Sequence, residues 1–202
     1  MKKSVTLSVF LGILIALSIC TSFAQTEQTL GESFVRLHIR ANSNSPSDLN
    51  LKLKVRDRIL KETGSLYTDV NTAKEAGSIT RKNLEFIKRI AEDEIKLNGY
   101  NFPVSVSYGK SNFPLKAYGD IVLPPGTYNA LVVEIGSGKG DNWWCVMFPP
   151  LCFVKESCKG IPAESKDMLV RNLGKENFDL ISSGKPAVKF KIYEIWKKLK
   201  KD

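Results

Sequence analysis

The sequence predicts an α+β domain, because segments with helical spacing come first and segments with strand spacing follow. An alternating segment at residues 34–40 opens the domain, and helical segments cover residues 46–60 and 71–97. After residue 100 the apolar period shortens to two, which is typical of strands. A final helical segment at residues 188–199 completes the prediction, which is an N-terminal strand, two helices, an antiparallel-rich sheet and a C-terminal helix.

The amino terminus carries the pattern of a secretory signal. Lys2 and Lys3 form a positive region, residues 5–19 form an apolar centre, and small Ser22 and Ala24 predict cleavage after Ala24. The apolar centre is shorter than the roughly 20 residues of a membrane-spanning helix. An uncleaved membrane anchor is the alternative. In either case the folded part is expected outside the cytoplasmic membrane.

The predicted boundaries give a signal peptide at residues 1–24, a flexible linker at 25–33, one domain at 34–196 and a basic tail at 197–202. The 202 residues suit one domain with a sizeable core. The formal net charge of +9 fits nucleic acid, but export argues against that partner. The basic tail is compatible with peripheral contact with anionic lipid, and also with a solvated helix end.

The first helix is predicted from its cap. Ser45 is placed to cap its amino end, and Asp48 to complete a capping box. Residues 49–55 also alternate as a strand would, but the cap favours a helix on which Leu49 and Leu53 share a face.

The second, longer helix over residues 71–97 is predicted from one apolar stripe and an Asn98-Gly99 stop. The stripe comprises Ala73, Ala76, Thr80, Leu84, Ile87, Ile90, Ala91 and Ile95. Its length makes it the largest helix that the sequence predicts.

The strand-rich part is punctuated by glycine and proline. The predicted strands include Val104 and Val106, then residues 113–119, 128–135 and 143–148. The Gly-x-Gly-x-Gly run at residues 136–140 lacks the context of a dinucleotide or phosphate loop. It is therefore interpreted as a mobile loop that forms a flexible hairpin connection.

No catalytic, metal or cofactor site is predicted. His38 lies on the polar side of a half-buried strand, and with Cys145 or Cys152 it would suggest a thiol hydrolase. No third group that would orient the imidazole is visible, so a structural histidine is favoured. Cys158 is the third cysteine after the signal, and the spacing lacks the short pairs of a zinc site. One disulfide and free buried thiols both remain open.

The most unusual segment covers residues 142–153 and contains Trp143 and Trp144. Adjacent residues of a strand point to opposite faces, so one tryptophan can enter the core while the other lies at the surface. An exposed aromatic residue beside a glycine-rich loop is a candidate protein-binding hot spot. Packing of both rings within the domain is the alternative.

Four blocks of sequence resemble one known family. They are residues 35–46 continuing into 51–57, then 116–128, 138–153 and 188–196. The third block is the most specific, with Asn-Trp-Trp-Cys followed by Phe-Pro-Pro-Leu-Cys-Phe. Together, in this order, the blocks resemble the stage II sporulation protein R family of endospore-forming bacteria.

The resemblance implies a signalling protein rather than an enzyme. Family members are secreted from the forespore into the space between the forespore and mother-cell membranes. There they activate a membrane-embedded aspartyl protease, stage II sporulation protein GA, which trims the precursor of sigma-E. The family offers no catalytic residues to carry over. Our hypothesis for the partner-binding surface comprises His38, Asn42, Gly138, Gly140, Asn142, Trp143, Trp144 and Phe148.

Overall fold

The computed structural model describes residues 10–14, 16–17, 28–152 and 161–182. Its strands are β1 (Val35–Arg40), β2 (Val104–Phe113), β3 (Lys116–Tyr118), β4 (Ile121–Leu123), β5 (Gly126–Ile135) and β6 (Asn142–Phe148). Its helices are α1 (Pro46–Thr63), α2 (Ala73–Lys82), α3 (Leu84–Leu97), α4 (Ala163–Leu173) and α5 (Lys175–Ser182), with a 3-10 helix at Gly64–Tyr67. The predicted α+β class is confirmed.

Parts of the sequence-based prediction fall outside these residues. They are the C-terminal helix at 188–199, the basic tail and most of the signal segment. Within the described part of the chain, no helix is both long and apolar enough to cross a membrane.

The main sheet has the strand order β2-β5-β1-β6. β2 pairs with β5 and β6 pairs with β1 in antiparallel fashion, whereas the central pair β1 and β5 is parallel. Because β1 lies between β5 and β6, residues 136–141 do not form the predicted hairpin connection. They cross the carboxyl end of β1, and that crossing positions the candidate site.

The central place of β1 also corrects the prediction of a half-buried strand. Leu37 and Ile39 face the helices and are 0% exposed. Arg36 and His38 point to the opposite face, yet they are only 0% and 3% exposed. A second apolar cluster covers much of that opposite face. Alternation of apolar and polar residues along a strand does not show whether another part of the chain covers its polar side.

Helices α1, α2 and α3 pack on one face of the sheet and form the larger core. Ser45 caps α1 by accepting from the Asp48 backbone N–H at 3.2 Å. The Asp48 carboxylate turns to Asn42 and Ser43 instead, so the reciprocal half of the predicted capping box is wrong. Leu49 and Leu53 lie on this helix as predicted, and Leu53 is 37% exposed.

The predicted long helix at residues 71–97 is two helices, α2 and α3, which meet at Asn83. The Asn83 backbone is not helical, with φ −108° and ψ 13°, and its N–H donates to the Ile79 and Thr80 carbonyls. The apolar stripe is nevertheless buried on both sides of this break, with Leu84 partly buried. The stripe identified the core face but could not show the change of axis.

The second core lies on the other face, toward the amino end of β1. It is built from the β3–β4 pair, α4, α5 and a helical turn at residues 28–33, part of the predicted flexible linker. Its buried members are Leu30, Phe34, Phe113, Ile121, Leu123, Tyr128, Ala130, Val146, Leu151, Ile161, Leu169, Leu173 and Ile181. It leaves the carboxyl end of β1 uncovered on this face.

Candidate functional site

Three rows of side chains cross the face of the sheet that is opposite α1–α3. The register aligns Ser105, Glu134, Arg40 and Asn142 in the first row, Ser107, Val132, His38 and Trp144 in the second, and Gly109, Ala130, Arg36 and Val146 in the third. The second core covers Ala130, Arg36 and Val146 of the third row, whereas Gly109 is exposed. The first two rows stay partly open, and we call them the open face.

The loop at residues 136–141 forms one border of the open face, and residues 41–44 hold it in place. Ser137 donates through its backbone N–H to Asn42 Oδ1 at 2.9 Å and through its hydroxyl to the Asn42 carbonyl at 2.6 Å. The Gly140 N–H donates to the Ala41 carbonyl at 2.8 Å. The predicted mobile loop is therefore tied down by hydrogen bonds.

A second set of contacts extends this support to α1. Lys52 Nζ donates to the Asp141 carbonyl at 2.9 Å, and the Asp141 N–H donates to Asn44 Oδ1 at 2.6 Å. Asp48 accepts from the Ser43 hydroxyl at 2.6 Å and from Asn42 Nδ2 at 2.8 Å. The hydrogen bond from Ser43 and then that from Asn42 hold the pKa of Asp48 below its usual range. The polar residues that follow β1, together with α1, thus support the loop at residues 136–141.

Gly140 shows why glycine is needed in this loop. It is buried, and an added Cβ would collide with the Ser43 carbonyl oxygen and crowd the Ala41 side chain. Gly136 and Gly138 have positive φ angles of 60° and 61°, which favour glycine. The glycines therefore serve close approach and turning in this loop.

The two tryptophans point to opposite faces, as predicted. Trp143 pairs with Ile39 and packs against the larger core, with the Arg56 guanidinium 5.0 Å from its ring centre. Trp144 lies on the open face, stacked on His38 at 5.5 Å, with Lys116 Nζ 4.7 Å from its ring centre. Both rings are half-buried, so each is packed within the domain and still reaches the surface.

His38 lies beneath the open face in a polar and aromatic setting. Its Nε2 is 2.6 Å from Asn142 Oδ1, so the tautomer protonated at Nε2 donates to that amide oxygen. Burial lowers the pKa of His38, and the nearby Arg40 lowers it further, against opposing effects of Asn142 and Glu134. Arg40 itself donates to Glu134 Oε1 at 2.7 Å. The imidazole is therefore neutral at pH 7.

We expect acid to destabilise the fold through His38. An unfolded histidine titrates near pH 6.5, and the folded pKa of His38 is lower, so the unfolded state binds the proton first. The free energy of unfolding should be fully retained above about pH 6.5 and should fall as the pH drops toward the folded pKa. Urea unfolding at a series of pH values checks this slope. Because His38 is the single histidine, His38→Gln should flatten it, and an unchanged slope would contradict the assignment.

Arg36 belongs to the third row, and its guanidinium lies among three aromatic rings that we call the aromatic box. Its guanidinium carbon is 4.2 Å from the Phe113 ring centre, 4.8 Å from that of Tyr128 and 5.6 Å from that of Tyr118. Nε donates to the Cys145 carbonyl at 3.0 Å and Nη2 to the Tyr118 hydroxyl at 2.8 Å. Burial lowers the pKa of Arg36 from its ordinary value. Sequence reasoning missed this residue, because alternation assigned it to the polar side.

Cys145 and Cys152 form a disulfide, with Cα atoms 5.6 Å apart. The register pairs Cys145 with Leu37 and His38 with Trp144, so Cys145 and His38 point to opposite faces. Neither bonded sulfur offers a thiol to His38, and Cys158 lies outside the described residues. Among the residues described, no group of three histidine, cysteine or acidic side chains is arranged to hold a metal ion.

The predicted partner-binding residues separate into two groups. At the carboxyl end of β1, the structure brings together His38, Asn42, Gly138, Gly140, Asn142, Trp143 and Trp144. Phe148 lies at the other end of β6 and is 0% exposed in the core, so its side chain does not reach the surface. His38 and Gly140 are also buried and act as supports. Arg40 and Lys139 reach this surface but were absent from the predicted set.

This arrangement defines a mixed-sheet α+β protein with a rigid polar and aromatic surface at one end of the sheet. Residues 31–158 match the family described as Stage II sporulation protein R. Stage II sporulation protein R of Bacillus subtilis (strain 168) is 36% identical over 175 residues, which cover 83% of this chain and 78% of that protein. The chain belongs to the stage II sporulation protein R family. No solved structure matches it.

The family assignment confirms the resemblance inferred from the four blocks. The name of this relative denotes a sporulation protein and no enzymatic activity. The matched region includes β1 to β6 and ends beyond the disulfide, so it contains both the open face and the loop at residues 136–141. The family's description connects the protein with sporulation.

Proposed function

We propose that this protein is a secreted sporulation signal that activates a membrane-embedded aspartyl protease, stage II sporulation protein GA. Membership of the stage II sporulation protein R family is the observation that carries the proposal. The amino-terminal signal pattern supports export from the forespore into the space between the two membranes. The protease would then trim the sigma-E precursor in the mother cell.

Activation by a ligand requires only that the ligand binds the active form of the protease more tightly than the inactive form. No covalent chemistry is needed from the activator. This agrees with a site in which Cys145 and Cys152 are bonded to each other and His38 is buried. The secreted Cys–His hydrolase is therefore the less favoured alternative.

We place the docking contact on the loop-end surface, which we define as Arg40, Lys139, Asn142, Trp143 and Trp144. Tryptophan and arginine are enriched among the residues that dominate binding energy. Hydrogen bonds to residues 41–44 hold the adjoining loop, so binding would cost little ordering entropy. Peripheral contact of the basic tail at residues 197–202 with anionic lipid is a secondary proposal.

The proposal is tested by co-expressing the secreted domain with the protease and the sigma-E precursor in a non-sporulating host. Processing of the sigma-E precursor should depend on this chain. Equal processing in its absence would contradict the proposal. Trp143→Ala should reduce the processed fraction about thirtyfold, since hot-spot truncations cost about 2 kcal/mol or more. Its thermal unfolding must be measured alongside, because Trp143 also packs against the core.

A matched pair of surface variants separates docking from folding. Lys139 is exposed at the loop tip and Lys74 is exposed on α2, away from the loop-end surface. Lys139→Glu should lower processing at least severalfold, whereas Lys74→Glu should leave it unchanged. Equal effects of both substitutions on processing would show that the protease does not dock on the loop-end surface. Secretion and solubility of both variants should match the unsubstituted protein.

A further inference from the structure

Among the described residues, the edge strand β2 lacks the usual protection against pairing with another chain. It extends from Val104 to Phe113 and hydrogen-bonds to β5 alone within the described sheet. The register with β5 is unbroken from one end to the other, and β2 contains no proline. Natural edge strands are usually short, bulged, charged or covered, because open edges recruit further strands. β2 is long and regular, and it contains a single charged residue.

The backbone groups that face outward can be identified from the ladder. The Gly136 N–H donates to the Pro103 carbonyl at 2.8 Å, which makes this a hydrogen-bonded pair just beyond β2. Hydrogen-bonded and non-hydrogen-bonded pairs alternate in an antiparallel ladder. Val106, Tyr108 and Lys110 therefore direct their N–H and C=O groups away from β5. Within the part of the chain that is described, nothing hydrogen-bonds to these groups.

The side chains along this edge indicate which strand would fit. On the helix side, Tyr108 contacts Arg81, whose guanidinium carbon is 4.9 Å from the ring centre, and Lys110 follows on the same side. On the other side, Ser107 and Gly109 are small and exposed, so they leave room for a neighbour. A strand added here would place alternate side chains beside Arg81 and Lys110.

We propose that the β2 edge is a strand-addition site for an extended acidic segment of a partner protein. Main-chain hydrogen bonds to Val106, Tyr108 and Lys110 supply the attachment, and acidic residues beside Arg81 and Lys110 supply selectivity. A second copy of this chain is the less favourable occupant. Each copy carries a formal charge of +9, so two copies repel each other at short range. This site is distinct from the loop-end surface.

The test uses two labelled peptides of roughly eight residues, a common strand length, one alternating Thr and Glu and the other alternating Thr and Lys. Fluorescence polarisation at low salt should show binding of the Thr-Glu peptide about tenfold tighter than binding of the Thr-Lys peptide. Amide hydrogen exchange should slow at Val106, Tyr108 and Lys110 when the Thr-Glu peptide is bound. Equal affinity for both peptides, or no binding, would overturn the proposal.

Three variants of Lys110 separate backbone pairing from charge. Lys110→Pro removes an outward N–H without touching the ladder to β5, so it should weaken Thr-Glu binding about tenfold. Lys110→Ala keeps that N–H and should weaken binding only roughly threefold. Equal affinities of Lys110→Pro and Lys110→Ala for the Thr-Glu peptide would overturn strand addition. Lys110→Glu keeps the backbone intact and should reduce the preference for the Thr-Glu peptide, which tests the proposal even where the proline variant fails to fold.

The alternative occupant is tested on the same protein. Sedimentation of the full chain without peptide should show a monomer, and Lys110→Pro should not change that state. A dimer that Lys110→Pro dissociates would show that a second copy occupies the edge, and the proposal of an acidic partner would then be overturned. None of these experiments measures processing of the sigma-E precursor. A negative result would therefore overturn strand addition without affecting the proposed function.

Discussion

Replacing Arg36 with alanine should lower the free energy of unfolding by about 3 kcal/mol, the range of a large truncation in a core. The residue is 0% exposed, and its guanidinium lies among the rings of Phe113, Tyr118 and Tyr128. Truncation would open a cavity inside that box. It would also remove the donors to the Cys145 carbonyl and the Tyr118 hydroxyl. Urea unfolding at pH 7 measures the change.

Arg36→Met is the matched control, because methionine keeps most of the volume but none of the charge. Arg36 forms no ion pair with any described acidic residue, so its charge is stabilised only by rings and neutral acceptors. A buried charge in such a setting can be replaced by an apolar side chain at small cost. We expect Arg36→Met to lose only about 1 kcal/mol. Equal losses for Met and Ala would show that the charge, and not the filled volume, stabilises the box.

Reducing the disulfide between Cys145 and Cys152 should lower the free energy of unfolding by about 2 kcal/mol, as expected for a short closed loop. The bond ties the segment after β6 back to its own strand, and the Cys152 N–H reinforces it by donating to the Val146 carbonyl at 3.0 Å. The same segment carries Leu151 into the second core. Unfolding with and without a reductant measures the change.

The double variant Cys145→Ser, Cys152→Ser separates the structural role of the sulfurs from a chemical one. It should be about as unstable as the reduced protein and insensitive to reductant. In the co-expression assay, at a temperature where it stays folded, it should still support processing of the precursor. A folded double variant without activity would favour the Cys–His hydrolase over the ligand. Retained activity, together with activity of His38→Gln, would exclude a hydrolase built on these residues.

The local features of the fold were predictable from residue spacing and turn chemistry. The helix capped by Ser45, the stripe on α2 and α3, and the strands β5 and β6 all follow from short-range patterns. The opposite orientation of Trp143 and Trp144 follows from the strand period alone. These features need no knowledge of which element packs on which.

The corrections to the sheet and to the burial of its side chains concern contacts between distant segments. The loop at residues 136–141 looked like a hairpin, because its sequence does not show that β1 is inserted between β5 and β6. Phe148 was included in the hypothetical partner-binding surface because it lies in the aromatic segment at residues 142–153, and the structure places its side chain in the core. One further correction is local. The Asp48 carboxylate accepts from Asn42 and Ser43 instead of completing the capping box, and these two residues in turn support the loop at residues 136–141.

The α+β class, the secretory-signal pattern and the family could all be inferred from the sequence, because they depend on local period, composition and ordered motifs. The burial of Arg36 and His38 and the bond between Cys145 and Cys152 became apparent only in the folded chain, as did the outer edge of β2, with which no described strand pairs. The physical reason is that burial and strand order depend on which segments meet across the whole chain. A residue's neighbours in sequence fix its side of a strand, but its neighbours in space decide whether that side is covered.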